Sequence, residues 1–237
     1  MFLDSIHINS ILPSFFSASE ITESEIWGRE VRFRKGEYHL ISAVSGTGKS
    51  SLLSYIFGER DDYKGDIIFY DHTLVSPSNN FPSKVEGSEI KGRSLSSMKP
   101  AELSKMRQHG IGFVFQGLRL FSELTAFENI TLKNKLTGCK TDDEIKSMLK
   151  CAGLAEKINE KAARLSFGQQ QRVAIIRALC QPFDFLLMDE PFSHLDDYNI
   201  KIMAGMISQE LSSRQAGMVL CSLGVEYPFV YSRKWKL

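Results

Sequence analysis

The sequence predicts an α/β chain with a mostly parallel core sheet and a helical insertion. Three observations carry this. Apolar, strand-like runs alternate with segments of helical spacing along the chain. Residues 37–42, "EYHLIS", feed directly into the glycine-bearing loop "SAVSGTGKSS" and then into the helical stretch "SLLSYIFG". Residues 185–190, "FLLMDE", stay apolar until they meet two carboxylates, the pattern of a central strand covered on both faces.

Each element follows in order. The helix after the loop stops at Gly58, a residue suited to a C-cap. "GDIIFYD" is a second strand. Residues 75–99 are serine-rich with two prolines and little apolar content, so most of them are expected as an exposed polar loop. Helical spacing returns from 101 to 109, "GIGFVFQ" is a strand, and 125–165 is expected to be mostly helical. Thr141 with Glu144, and Ser166 with Gln169, place a capping hydroxyl three residues before an acid or amide, each marking a helix start. "GMVLCSL" is a further strand. The helical insertion therefore lies between Gln116 and Ser166, about 117–165, in one domain spanning 1–237 without internal repeats.

Composition narrows the function classes. With 237 residues, 43% hydrophobic and 24% charged, the chain has material for a sizeable core. A formal charge of +1, spread along the sequence, gives no bulk attraction to nucleic acid or anionic lipid. Cys139, Cys151, Cys180 and Cys221 show no C-x-x-C spacing, so reduced thiols in a cytosolic setting are expected rather than zinc or a disulfide framework. The start "MFLDSIHINS" lacks a positive region and carries Asp4, a poor signal peptide. No apolar run approaches the roughly 18 residues that span a bilayer. The expectation is a soluble chain that meets a membrane only through a partner.

The loop at 42–51 approaches G-x-x-x-x-G-K-[ST] with Ala43 in place of the first glycine. Ser45, Gly46, Thr47 and Gly48 form a backbone cradle of amides ahead of a helix N-terminus, where phosphate is favoured. Lys49 is suited to the β- and γ-phosphates, the Ser50 hydroxyl to magnesium, and Ser51 extends the cradle. Ala43 matters only if its position needs a left-handed backbone or an approach closer than a methyl permits. It sits at the strand-to-loop corner and is expected to be tolerated. At the end of "FLLMDE", Asp189 suits the magnesium shell and Glu190 suits deprotonating an attacking water. Alone, such a pair reads as solvated charges capping a core strand; downstream of a phosphate loop the chemical reading prevails.

Residues 165–179, "LSFGQQQRVAIIRAL", resemble the signature motif of ATP-binding cassette (ABC) ATPases, usually Leu-Ser-Gly-Gly-Gln. The resemblance implies that Ser166, Gly168 and Gln169 grip the γ-phosphate held by a second protomer. It extends over nearly the whole chain and implies an ABC-type P-loop fold with an added antiparallel β subdomain. Gln116 matches the glutamine that contacts magnesium and water. "SHLD", 193–196, matches the loop after the catalytic glutamate, with Asp196 at the dimer seam. Phe16 lies where the family stacks an aromatic on adenine, with Phe15 or Trp27 as alternatives. "AELSKMRQHGIGFVFQGLRLFSELTAFENI" is similar to the lipoprotein-release, macrolide-export and cell-division subgroup.

Two departures stand out. Phe167 replaces the first signature glycine. Leu223 stands where the family has a histidine contacting the γ-phosphate, and no histidine follows His194. Loss of one preorganised donor costs on the order of 10²–10³ in rate, so slow hydrolysis with intact ATP binding is expected. His194 acting as a substitute and His194 as an incidental loop residue both stay open. The resemblance implies an ATP- and Mg²⁺-dependent ATPase, dimerising with an identical or related protomer. Its stroke would pass to separate membrane permease subunits near Gln116–Glu123, on the inner face of the plasma membrane. A nucleotide-gated regulator that moves no solute uses the same clamp. DNA-repair or chromosome ATPases carry long coiled coils that this chain lacks, so nucleic acid is not an expected partner.

Overall fold

The computed structural model describes residues 3–16, 23–71 and 92–237. Two sheets organise it. The first is antiparallel, in the order β2-β1-β4-β5, from β1 (Leu3–Pro13), β2 (Glu30–Arg34), β4 (Tyr63–Asp71) and β5 (Arg93–Ser94). Ile8 of β1 lies opposite Val31 on one side and Ile67 on the other, an aliphatic row across three strands. The second has the order β6-β7-β8-β3-β9 and is parallel at every pairing. It comprises β3 (Tyr38–Ser42), β6 (Ile111–Val114), β7 (Phe185–Asp189), β8 (Gly217–Ser222) and β9 (Arg233–Lys236).

The period-two alternation of the central strands divides the core into two layers. Leu40, Leu186, Met188, Met218 and Leu220 pack on the side of α3 (Ala126–Asn134), α4 (Asp142–Cys151), α5 (Phe167–Leu179) and α6 (Asp197–Arg214). Their neighbours Ile41, Phe185, Leu187, Val219 and Cys221 face the antiparallel sheet and α1 (Lys49–Ile56). Both faces of the strands being covered explains why "FLLMDE" reads as an unbroken apolar run.

The expected helix signals are present. Phe57 caps α1, and Gly58 follows at φ 71° with its amide bonded to the Tyr55 carbonyl, a left-handed exit. Thr141 and Ser166 each accept the amide three residues on while that residue's side chain accepts theirs, as the spacing predicts. Of the expected polar loop at 75–99, residues 75–91 lie outside the described residues, and the remainder is not loop alone. Arg93 and Ser94 pair with β4, Leu95–Ser97 form one 3₁₀ turn, and α2 (Pro100–His109) begins directly afterwards. Leu95 is buried, which ties this turn to the core despite its serine-rich surroundings. Residues 125–165 are mostly helical, as expected: α-helix covers 126–134 and 142–151 and 3₁₀ turns cover 155–157 and 162–164, with Gly138 and Gly153, at φ 62° and 68°, ending the helical turns.

All strands of the second sheet run the same way, so β3, β6 and β7 end along one edge. Residues 43–48, 115–116 and 190–196 leave from that edge together, where ligands of such sheets bind.

Candidate functional site

The phosphate loop leaves β3 at Ser42 and closes on α1. Gly46 and Gly48 sit at φ 86° and 90°. A Cβ on Gly48 would lie 3.0 Å from Trp27 Cζ2 and 3.3 Å from Phe16 Cε2, so both backbone angle and space require glycine there. Trp27 Nε1 also donates to the Thr47 carbonyl at 3.0 Å, bracing the turn from behind. Thr47 Oγ1 donates to the Val44 carbonyl at 2.9 Å. Ala43 is absent from the positive-φ residues, and its amide bonds to the Ser222 carbonyl of β8 at 3.2 Å. Its methyl is therefore accommodated without strain, as the sequence reading expects.

Four chain segments converge on one cleft of about 270 Å³. The loop residues Ser45, Gly46 and Gly48 to Ser51 meet Gln116, Glu190 and Leu223 there, with Phe15 at the rim, whereas Thr47 does not line it. Lys49 is buried; its Nζ donates to the Ala43 and Val44 carbonyls at 3.1 and 2.9 Å and stands 3.6 Å from Glu190 Oε1. Ser50 Oγ lies 3.4 Å from Gln116 Oε1. Asp189 ends β7 with 3% exposure, and its Oδ1 has no hydrogen-bond partner among the described residues. Burial raises its pKa, offset by the Ser50 hydroxyl and Lys49. An orphaned carboxylate oxygen beside a hydroxyl and an amide oxygen is a hard-donor set that fits a magnesium ion.

Glu190 is 5% exposed and sits at φ 50°, a left-handed geometry that costs a non-glycine residue about 1–3 kcal/mol. Its amide bonds to the Cys221 carbonyl at 3.0 Å, and its carbonyl accepts from Gln171 Nε2 at 3.1 Å. Burial raises the carboxyl's pKa, Lys49 pulls it back down, and Asp189 raises it further. A carboxylate made more basic in this way suits proton abstraction.

Gln171 was not foreseen. Fully buried on α5, it bonds the Glu190 carbonyl, the Ser193 hydroxyl at 3.3 Å and the His194 amide at 3.1 Å. It locks the loop after β7 onto the signature helix. The only sequence signal is its place in "QQQR", which says nothing about its reach. Arg172 does related work one residue on, donating to the Ala152 carbonyl and to Asn199 Oδ1 at 2.7 and 2.8 Å.

Ser166, Gly168, Gln169 and Asp196 do not line the cleft of their own phosphate loop. Ser166 caps α5. A Cβ on Gly168 would come within 2.8 Å of the His194 carbonyl, so this glycine permits tight packing of α5 on the loop. Asp196 caps α6, accepting from the Asn199 amide at 2.8 Å. Phe167 is 46% exposed and packs on His194 with ring centroids 4.2 Å apart, while His194 Nδ1 lies 2.9 Å from Ser193 Oγ. His194 is thus engaged with its own signature helix. Of the aromatic candidates, Trp27 is buried, Phe16 is half-buried against the loop, and Phe15 is 52% exposed at the cleft.

A glycine-braced loop, a buried lysine and paired carboxylates at a parallel sheet's edge define a P-loop nucleoside triphosphatase. Comparison with known proteins narrows the class. Residues 28–193 match the ABC transporter family. The lipoprotein-releasing system ATP-binding protein LolD 2 of Rhodopseudomonas palustris is 31% identical over 216 residues, covering 89% of this chain and 83% of that protein. The macrolide export ATP-binding/permease protein MacB of Psychrobacter arcticus is 30% identical over 184 residues, 76% of this chain but 24% of that protein. Among solved structures, dimeric MJ0796, described as a bacterial ABC transporter cassette, superposes with TM-score 0.71 at 26% identity, covering 92% of this chain and 88% of the other. This chain belongs to the ABC transporter family and is an ATP-binding, ATP-hydrolysing subunit of it.

Proposed function

We propose that two such protomers enclose ATP between the phosphate loop of one and residues Ser166–Gln169 of the other, and that closing and reopening drive a membrane partner. The observation that supports this most directly is the division of the site. Lys49, Ser50, Gln116 and Glu190 share one cleft, while the signature residues lie outside it. A second chain is what would bring a signature helix N-terminus, with its unpaired amides, against the γ-phosphate. Solved relatives of this fold include a dimeric cassette and a dimeric post-hydrolysis state with ADP and phosphate.

In this reading the amides of 45–51 and Lys49 bind the phosphates. Ser50, Gln116 and Asp189 hold magnesium, which neutralises phosphate charge when bound. Glu190 orients a water and takes its proton, and Lys49 keeps that carboxylate ionised. The exposed ring of Phe15, backed by Phe16 at 4.7 Å, offers adenine a stacking surface.

The membrane partner docks beside Gln116. Leu118 and Arg119 follow it at φ 55° and 51°, two consecutive strained residues whose carbonyls accept from Arg177 at 2.6 Å each. An apolar groove of about 300 Å³ opens there, with Phe121, Leu132 and Leu136 exposed along it. Among the described residues no helix is long and apolar enough to cross a membrane. The similarity to LolD ATP-binding proteins supports action at the cytoplasmic face through permease subunits.

The test is Glu190→Gln. Turnover falls by about 10²–10⁴, the usual contribution of a general base, while ATP–Mg binding persists and a nucleotide-dependent dimer accumulates in size-exclusion chromatography with light scattering. Parental turnover in the variant, or a monomer at saturating ATP, refutes the clamp.

A further inference from the structure

We infer that a second ligand site, for a small organic anion bearing phosphate or carboxylate groups, lies at the far end of the parallel sheet from the phosphate loop. A cavity of about 620 Å³ opens there, within the range of small-molecule sites. Its position follows from the chain. Asp184 immediately precedes β7, Lys35 lies just ahead of β3, Arg214 is the last residue of α6, and Lys105 sits on α2. Lys140, just before α4, brings the helical insertion to the same wall. ATP chemistry belongs to the opposite strand ends, so this inference stands apart from the reading of the ATP site.

Charge decides the ligand class. Four permanent cations, Lys35, Lys105, Lys140 and Arg214, face two carboxylates, Asp184 and Glu210, a surplus of two. The whole chain carries only +1, so positive charge is concentrated here. The carboxylates are already committed. Asp184 pairs with Lys35 and accepts the Leu3 amide at 2.8 Å. Glu210 is shared by Lys140 and Arg214, 2.6 Å from each. Lys105 is exposed and has no carboxylate partner among the described residues. Arg214 is committed as well, donating to the Gln181 and Leu179 carbonyls and to Glu210, so Lys105 and the ammonium protons that Lys140 does not spend on Glu210 are the donors that favour phosphate or carboxylate oxygens. Pro182 lies on the cavity wall, and the Arg214 guanidinium is held in place over the buried Phe183 ring at 4.3 Å. Inorganic phosphate alone would leave most of the volume empty. A ligand held by Lys140 and by Lys105 would bridge the insertion and the core.

The test uses a thiol already on the cavity wall. Cys139 is partly exposed and lies 3.7 Å from an Arg214 nitrogen, whereas Cys151 is exposed outside the cavity. Alkylation of each by iodoacetamide is followed by peptide mass spectrometry, with phenyl phosphate or phthalate added at constant ionic strength. A probe at twice its dissociation constant slows Cys139 about threefold, as occupancy requires, and leaves Cys151 unchanged. Protection by phenyl phosphate alone assigns a phosphorylated ligand, and by phthalate alone a carboxylated one. Lys105→Glu abolishes protection and Lys105→Arg restores it, while Lys49→Ala, which disables the phosphate loop, keeps it. No protection with either probe, equal slowing of both thiols, persistence in Lys105→Glu or loss in Lys49→Ala overturns the proposal.

Discussion

Leu223 offers the sharpest test of how this site handles charge. Its side chain shares the cleft wall with Gly46, Lys49 and Glu190 but brings no hydrogen-bond donor to the phosphates. Removing one preorganised donor from an enzyme costs about 10²–10³ in rate, or about 2.7–4 kcal/mol. Leu223 is 53% exposed, so water screens a new donor here. Taking half the free energy, about 1.4–2 kcal/mol, gives an expected gain of about 10–30-fold for Leu223→His. Because the position is exposed, stability should change by no more than about 0.5 kcal/mol. The assay is phosphate release at saturating ATP over a series of protein concentrations, since the site is proposed to span two protomers. Leu223→Gln controls for a non-imidazole donor. Turnover within twofold of the parent for both variants, with ATP affinity intact, would show that this wall does not face developing charge.

Three further outcomes follow from the same geometry. Ala43→Gly leaves ATP affinity within about twofold, because Ala43 lacks a left-handed backbone, whereas Gly48→Ala forfeits about 1–3 kcal/mol and most nucleotide binding; calorimetry distinguishes them. Gln171→Leu strands the Glu190 carbonyl and the His194 amide and costs about 1–3 kcal/mol in urea unfolding, with kcat falling more than KM rises. His7 is pushed down to about 4 by burial and by Arg32 and Arg34. The unfolded chain binds that proton near its ordinary value of 6.5 while the fold does not, so stability declines as pH falls from about 6.5 to 4. His7→Gln flattens this slope in urea midpoints taken across that window; an unchanged slope discounts His7.

Features whose hydrogen bonds are local were legible in the sequence. The Thr141–Glu144 and Ser166–Gln169 boxes close over three residues, so their spacing alone locates α4 and α5. The run "FLLMDE" likewise carries its own burial on both faces. β1 is harder to read, because register shifts at Leu3/Ser5 and between Asn9 and Leu12 break the alternation that would mark it. α6 hides its face similarly, since Ile200, Ile202, Met203, Met206 and Ile207 crowd several sides of the helix.

By itself, the sequence determined the strand–loop–helix that cradles phosphate, the carboxylates after β7, the two capped helices and the absent histidine. These depend on residues adjacent in the chain or on residue identity. The family resemblance already implied that Gln116, Glu190 and Leu223 stand near the phosphates held by Lys49; tertiary structure alone decided that Gln171 pins the loop after β7. It likewise decided that Gly168 makes room for the His194 carbonyl, and that Lys35, Lys105, Lys140 and Arg214 gather around one cavity. Such meetings join segments tens to more than a hundred residues apart. They are set by how a parallel sheet aligns its strand ends, which no local pattern encodes.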